Sequence, residues 1–447
     1  MDQSTEQNLD IQISARSLLK FSVPTIFSLL FVGIYSMVGS VFVARLVSTD
    51  ALSSVNIVLP LVNVSVALGM MLATGGSAIV AKLMGENRPR EAKQTFSFIF
   101  LASLLLGILL SVLGLILIDP IIRFLGADDS LYTYCYDYAR YTLYLFPAGI
   151  LAMLLLVFTI TAGKAQVGSL LAIIGGVSTI LLDWLLIAVL HMGVIGAALA
   201  SGLGYAIPAV IGIAYFFLAR HGTLYFVWPK GSLRILGESC INGSSEMVTN
   251  LSLSVVTLLF NRTMMRLAGS DGVAAVTVIL YAEGFFNSAF MGYTTGIAPV
   301  ISFNYGCDNR DNLKHIYRLS RRLILIGGIV ICGLSMLAAK PVMSVFVDAG
   351  TDVYNMGVQG FYPFSICFLF MGFSVFGSSM FTALSNGKIS ALISISRTLI
   401  FQSACILILP LFMGLTGVWL AVPVAELLGA IVTQICNRRY KDRYGYL

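Results

Sequence analysis

Charge is what this sequence has least of. Of 447 residues only 11% are Asp, Glu, Lys or Arg, while 58% are hydrophobic; a soluble chain carries roughly 25% charged residues. A surface so poor in charge could not keep domains of this size dissolved, so a soluble fold is excluded. Paired cysteines are missing as well. Cys135, Cys240, Cys307, Cys332, Cys367, Cys405 and Cys436 form no C-x-x-C and lie mostly inside apolar runs, which argues against a disulfide framework or a zinc site. The three histidines, His191, His221 and His315, stand far apart and near helix ends, as interfacial side chains do. Gly163-Lys164 and Gly387-Lys388 lack the upstream glycine and following Ser or Thr of a nucleotide loop. There is no H-E-x-x-H and no G-x-S-x-G. ATP-driven and hydrolytic readings therefore have no foothold, and neither an enzyme nor an organic cofactor is expected. The net charge of +6 is spread between apolar blocks and forms no single basic patch, so nucleic acid is not an expected partner. The first residues, MDQSTEQNLDIQIS, carry Asp2, Glu6 and Asp10. That is the wrong composition for a signal peptide, and the first span is expected to remain in the mature protein.

What is present is a series of apolar blocks long enough for the roughly 20 residues a spanning helix needs. They fall near 18–44, 51–81, 94–118, 139–161, 165–190 and 194–219, then 240–265, 272–303, 323–346, 355–384, 389–412 and 415–436. Residues 51–81, 353–387 and 398–425 contain no Asp, Glu, Lys or Arg at all; only helices, with their backbones satisfied internally, are plausible there. Cytoplasmic loops hold an excess of Lys and Arg. With the N-terminus inside, twelve spans place twenty of the 27 basic residues on that side and six on the other, leaving Arg397 inside the membrane. The expected protein is an all-α, multi-pass cell (inner) membrane protein with both termini cytoplasmic.

The chain also repeats itself at a fixed offset of 221 residues. RLVSTDALSSV (45–55) lies over RLAGSDGVAAV (266–276), Gly75 over Gly296, Gly85 over Gly306, Lys93 over Lys314, and GVIGAALA (193–200) over GLTGVWLA (414–421). Six spans per copy is an even number, so both copies enter the membrane in the same sense. The expected fold is twelve transmembrane helices in two parallel-related six-helix lobes: residues 1–220, a cytoplasmic linker at 221–234, and residues 235–447. Such repeats place a transporter's substrate path between the halves.

Ionisable groups inside a span cost about 2.5–3.5 kcal/mol on insertion scales and mark ion or substrate pathways. Asp183 sits in GGVSTILLDWLLIAVL with Thr179 one turn earlier; Glu246 is flanked at i−4 and i+4 by Asn242 and Asn250; Glu283 is followed at i+4 by Asn287; Glu426 comes three residues after Pro423. A buried carboxyl that is neutral in one conformation and charged in another is a proton switch. Amide and hydroxyl oxygens beside it equally suit a partly dehydrated Na⁺, so H⁺ and Na⁺ coupling both stay open, and no other metal is expected. The competing reading is that each acid joins two helices through a buried hydrogen bond or salt bridge, for example to Arg397. The 221-residue offset sets Ala404, Thr25 and Val62 opposite Asp183, Glu246 and Glu283; the scaffold repeats and the acids do not, which favours a role beyond the shared fold. Arg397 either anchors a carboxylate or admits an anion, with structural pairing favoured. Tyr35, Tyr281, Tyr293, Phe285, Phe286, Met70, Met71, Met291 and Met371 are candidates to line a pliable pocket for flat apolar cations. Pro24, inside the first span, is a hinge or a static bend.

Two six-helix lobes, GGSAIVAKLMGENRPREA (75–92), its partner GIAPVISFNYGCDNRDN (296–312) and ILLDWLLIAVLHMGVIGAALA (180–200) together resemble the multidrug and toxic compound extrusion (MATE) family over nearly the whole chain. The resemblance implies a V-shaped pair of bundles that open alternately to either side and export small organic cations in exchange for H⁺ or Na⁺. It further implies a helix 5 acid four residues after a polar residue, here Thr179 and Asp183 where the family often has Asn. Many members carry an acid in the first helix; this chain reads VGSVFVA there, with Gly39, which shifts weight to Asp183 and Glu246. The expected protein is a secondary antiporter in the lipid bilayer, taken as a monomer, with a lipid-linked oligosaccharide flippase of the same wider superfamily as the alternative.

Overall fold

A computed structural model describes residues 9, 11–47, 49–127, 129, 131–218 and 222–446, with backbone alone for residues 34–46, 49, 50 and 52. The side chain of Tyr35, the acid-free stretch around Gly39, and His221 at the start of the linker lie outside the described side chains.

The apolar blocks become α1 (Ala15–Leu46), α2 (Thr49–Gly85), α3 (Pro89–Ile116), the short α4 (Ile118–Leu125), α5 (Tyr132–Tyr144), α6 (Phe146–Thr161), α7 (Ala165–Asp183) and α8 (Gly193–Leu218) in the N-terminal half. The C-terminal half holds α9 (Leu233–Gly306), α10 (Arg310–Phe346), α11 (Asp352–Ser365), α12 (Phe368–Ala383), α13 (Gly387–Ser394), α14 (Gln402–Met413) and α15 (Leu415–Tyr444). Two spans are bent pairs, α5 with α6 by 49° and α11 with α12 by 53°. Pro147 in the first turn of α6 suits the start of a new helix after the bend, where its missing N–H costs nothing. Two more spans contain π-helical turns, Trp184–Val189 after α7 and Ile395–Phe401 between α13 and α14. The loop expected near 266–271 is not a loop. Helix runs through it as α9, broken only at Gly269, whose φ of 64° and ψ of −154° suit a residue without Cβ. Counting α9 as two spans and each bent pair as one gives the twelve spans in two six-helix lobes. The helix α1 runs unbroken through Pro24.

The sequence repeat is also a geometric one. The turn after α2 is closed by Arg88 N–H to Leu83 O at 3.0 Å and Asn87 N–H to Met84 O at 3.2 Å; the turn within the C-terminal half is closed by Asn309 N–H to Asn304 O at 3.0 Å and Asp308 N–H to Tyr305 O at 3.2 Å. Each pair is related by 221 residues. Asn87 and Asp308 both take positive φ, 58° and 51°, a conformation their short polar side chains tolerate.

The halves meet along α1, α2 and α9, and small residues make the meeting possible. A Cβ on Gly75 would lie 1.9 Å from Ser239 O, one on Gly243 1.9 Å from Met71 O, one on Gly85 2.1 Å from Phe303 O and one on Gly306 2.2 Å from Lys82 O. The 221-residue offset converts the Gly75–Gly243 contact into Gly296 against Ser22, where a Cβ would lie 2.9 Å from Ser22 Cα. It converts Gly85–Phe303 into Gly306–Lys82. Cys307 Sγ donates across the same seam to Gly85 O at 3.1 Å. The seam lies at the end that carries Lys82, Arg88, Arg310 and Lys314. One core there draws on both halves, with Leu18, Met71 and Val80 beside Tyr293, Ile297 and Ile301. Further cores belong to one half each, among them those around Val58, Ile122 and Phe146 and around Phe260, Phe364 and Trp419. The halves are thus fused at the basic end.

Candidate functional site

Asp183 closes α7 where the helix turns π-helical. It is 2% exposed, and its Oδ2 has no hydrogen-bond partner. Thr179 does not serve it. Its hydroxyl donates back to Gly175 O at 2.9 Å, the i−4 bond that a mid-helix threonine makes readily, and the side chain abuts Gly204 of α8. The groups near Asp183 come from elsewhere. Tyr138 of α5 stands within charge range of the carboxylate, beside Ser201 of α8 and Tyr205. Sequence spacing gave no sign of these tyrosines, because they reach Asp183 only through packing of α5 and α8.

Three acids of the C-terminal half converge. Glu426 of α15 is fully buried and accepts from Arg397 Nε at 2.8 Å, and Arg397 itself is buried within the π-helical turn. Glu246, roughly 20 Å along α9 from its basic end at 1.5 Å per residue, feels the charge of Arg397. Glu283, on the second span of α9, feels both Arg397 and Glu426. One guanidinium thus pairs with Glu426 and lies within charge range of the other two carboxylates. Glu426 Oε2 and Glu246 Oε2 are buried without a partner, as is Asn287 Oδ1.

The expected amide partners of Glu246 act differently. Asn242 donates to Thr382 O at 2.8 Å, and Asn250 donates to the main-chain carbonyl of Glu246 at 2.8 Å. Neither reaches its carboxylate. Asn242 instead opens a chain of buried hydroxyls. Ser245 meets Thr382 at 3.3 Å, Thr382 meets Ser390 at 2.8 Å, Ser390 meets Ser378 at 2.9 Å, and Ser378 meets Ser394 at 2.8 Å. Among the described residues no three of His, Cys, Asp and Glu are close enough to ligate one metal ion. The three glutamates share a field rather than a coordination sphere.

The pocket candidates divide. Met371 is wholly buried and Tyr293, whose hydroxyl bonds Ser320 at 2.8 Å, nearly so; Met71 is buried in the seam. These three are packed into core clusters. Met291 packs, partly buried, against the C-terminal core, Phe285 and Phe286 stack edge-on, and Phe286 does so again with Phe368. Tyr281 is half exposed and stacked on Phe346. A cleft of about 500 Å³ does exist, at the basic end between the halves, lined by Glu86, Arg88, Glu91, Glu238, Asn242 and Lys388 among others. At its rim Arg88 bonds Glu91 at 2.6 Å and Glu86 at 3.0 Å, and these carboxylates hold its guanidinium above the ordinary range.

The MatE family model matches residues 24–185 and again 247–407. The chain belongs to the MatE family. The two matches cover both sequence repeats, and MatE proteins are transporters, which accounts for the two lobes. Among curated relatives, a multidrug export protein MepA of Staphylococcus haemolyticus is 25% identical over 442 residues, spanning 96% of this chain and 95% of that protein. A MepA of Staphylococcus aureus is 23% identical over 440 residues, spanning 96% of this chain and 94% of that one. Among solved structures, an outward-facing multidrug resistance MATE family transporter of the MOP superfamily superposes with a TM-score of 0.93 at 21% identity over the full length of both chains. A MOP superfamily transporter from Pyrococcus furiosus, described as having a binding pocket of reversed polarity, superposes with a TM-score of 0.89 at 21% identity over 99% of each chain.

Proposed function

We propose that this MatE transporter is a secondary antiporter that exports organic cations and drug-like compounds in exchange for H⁺ or Na⁺. The observation that carries the reading is the set of buried carboxylates with unpartnered oxygens, Asp183 in one half and Glu246 with Glu426 in the other. An acid held in oil without a fixed partner is stable when a proton or a cation visits it, and the two visitors then exclude one another. The names of the MepA relatives, multidrug export proteins, agree with a broad cationic cargo. Four intramembrane acids against one arginine suit cations better than the pyrophosphate of a lipid-linked sugar, which disfavours the flippase.

In this reading the seam at the basic end opens while the far ends close, and Pro24 serves as a hinge of α1. Glu246 and Asp183 are the coupling groups, with Glu283 beside Glu246. Residues 1–220 and 235–447 move as lobes about the linker at 221–234, with both termini cytoplasmic, and a single chain suffices. No cofactor beyond the coupling ion is needed, and no catalysis is invoked. The test is efflux of a fluorescent organic cation from proteoliposomes under an imposed pH or Na⁺ gradient. The intact protein should respond to one gradient, and Asp183→Asn and Glu246→Gln should each lose most of that response. Full gradient-driven efflux in both variants would refute the site; no efflux under either gradient would refute the function.

A further inference from the structure

We propose that Arg397 is a tethered cation that competes with the transported cation for the carboxylates of the C-terminal half, held by Glu426 when cargo is absent and shifting its charge against cargo at Glu246 and Glu283. The inference rests on the antiport reading and deepens it, by naming the residue that sets how strongly this half holds a cation.

The contact itself argues for a movable partner. A structural arginine in a buried pair ordinarily grips a carboxylate with two parallel N–H donors, and the remaining lone pairs find other partners. Here the pair rests on one hydrogen bond, Nε to Glu426 Oε1 at 2.8 Å. Glu426 Oε2 has no partner although the residue is fully buried. The backbone argues the same way. Arg397 lies in the π-helical turn Ile395–Phe401, and such turns inside α-helices occur frequently at functional sites. Opposite it, α15 presents Gly429 one turn after Glu426. A Cβ there would lie 3.1 Å from Arg397 Cγ and 3.1 Å from Ser374 Oγ, so the arginine stem passes over bare backbone, next to a hydroxyl that is also unpartnered. The charged or titratable groups around it are Glu246 and Glu283 of α9, Glu426 of α15 and the thiol of Cys367. Three acids against one arginine leave the site short of positive charge when the acids are ionised, and a transported cation would fill the deficit. At the equivalent positions of the N-terminal half the 221-residue offset sets Gly176 opposite Arg397 and Tyr205 opposite Glu426. Asp183 thus faces its visitor without a resident competitor on the equivalent helix.

The experiment is equilibrium binding of tetraphenylphosphonium, a permanent monocation that does not titrate, to the purified full-length chain at fixed pH. Arg397→Gln combined with Glu426→Gln removes the pair as a unit and strands no charge. With the competitor gone it should bind tetraphenylphosphonium roughly tenfold more tightly than Glu426→Gln alone, which keeps the guanidinium, the effect of one charge at about 10 Å through an effective dielectric near 20. Glu426→Gln alone releases the guanidinium onto Glu246 and Glu283 and should weaken binding by a similar factor, whereas Arg397→Lys should bind as the parent does. A double variant that binds no more tightly than Glu426→Gln alone would show that Arg397 is a fixed partner and overturn the proposal. If the double variant does not fold, Glu426→Gln decides: unchanged or tighter binding overturns it. If the parent protein binds no tetraphenylphosphonium while remaining folded, the export reading fails, and this inference falls with it.

Discussion

Replacing Gly243 by alanine should push the halves apart at the basic end. The new Cβ would lie 1.9 Å from Met71 O, 2.7 Å from Met71 C and 3.0 Å from Gly75 N. All three are main-chain atoms of α2, so no side chain can rotate out of the way. A carbon–oxygen contact settles near 3.3 Å, and α2 and α9 must therefore part by about 1.4 Å at this point. Overpacking a closed core costs typically about 1–3 kcal/mol. With backbone on both sides the upper end applies, which corresponds to a shift of roughly 150-fold in the ratio of closed to open seam. Alanine is the better helix former by up to about 1 kcal/mol, so α9 itself is not weakened. The assay is the distance between spin labels at the exposed Arg90 and Lys388, one in each half at the basic end. Gly243→Ala should move the distribution several ångströms longer and slow transport. Gly237→Ala, on the same helix with nothing within 4 Å of the added carbon, should match the parent. An unchanged distribution for Gly243→Ala would refute the argument that the glycine seam sets the closure.

Three further substitutions test the packing around the acids. Arg397→Met alone leaves Glu426 buried and uncompensated, so it should cost about 3–5 kcal/mol, whereas replacing both members should cost far less; thermal unfolding in detergent measures the difference, and equal losses would contradict it. Thr382→Val removes the hydroxyl shared by Ser245 and Ser390 and should cost about 1–3 kcal/mol by leaving buried groups unpaired, again read by thermal unfolding; an unchanged midpoint would show that the hydroxyl chain adds nothing. Gly204→Ala meets Thr179 Oγ1 at 1.9 Å, a side chain and not a backbone, so adding Thr179→Ala should restore the lost stability; no rescue would place the strain elsewhere.

Much of the architecture was legible because oil imposes it. Charge-free stretches such as 353–387 can only be helix, and the 221-residue register that aligned Gly75 with Gly296 and Gly85 with Gly306 returns as mirrored contacts across the seam. The burial of Asp183 and the pairing open to Glu426 through Arg397 could also be anticipated from acids set in apolar helices. What could not be read was which polar atom bonds which. Thr179 and Asn250 satisfy main-chain carbonyls one turn away, because a nearby carbonyl is always within reach in a helix. Tyr138 comes within charge range of Asp183, and Glu246 and Glu283 within that of Arg397, only through helix packing across long sequence separations. Tyr293 and Met371, named as pocket candidates by type, are buried in core clusters, because composition does not tell how deeply a side chain on an inward face packs.

The central claim is that cargo and coupling ion use the same carboxylates in turn, and ion release on cargo binding tests it most directly. Tetraphenylphosphonium added to the purified protein in weakly buffered, Na⁺-loaded solution should displace protons or Na⁺ as it binds, and the displacement should shrink when Asp183→Asn and Glu246→Gln are combined. Saturable cargo binding that releases neither ion would contradict the account.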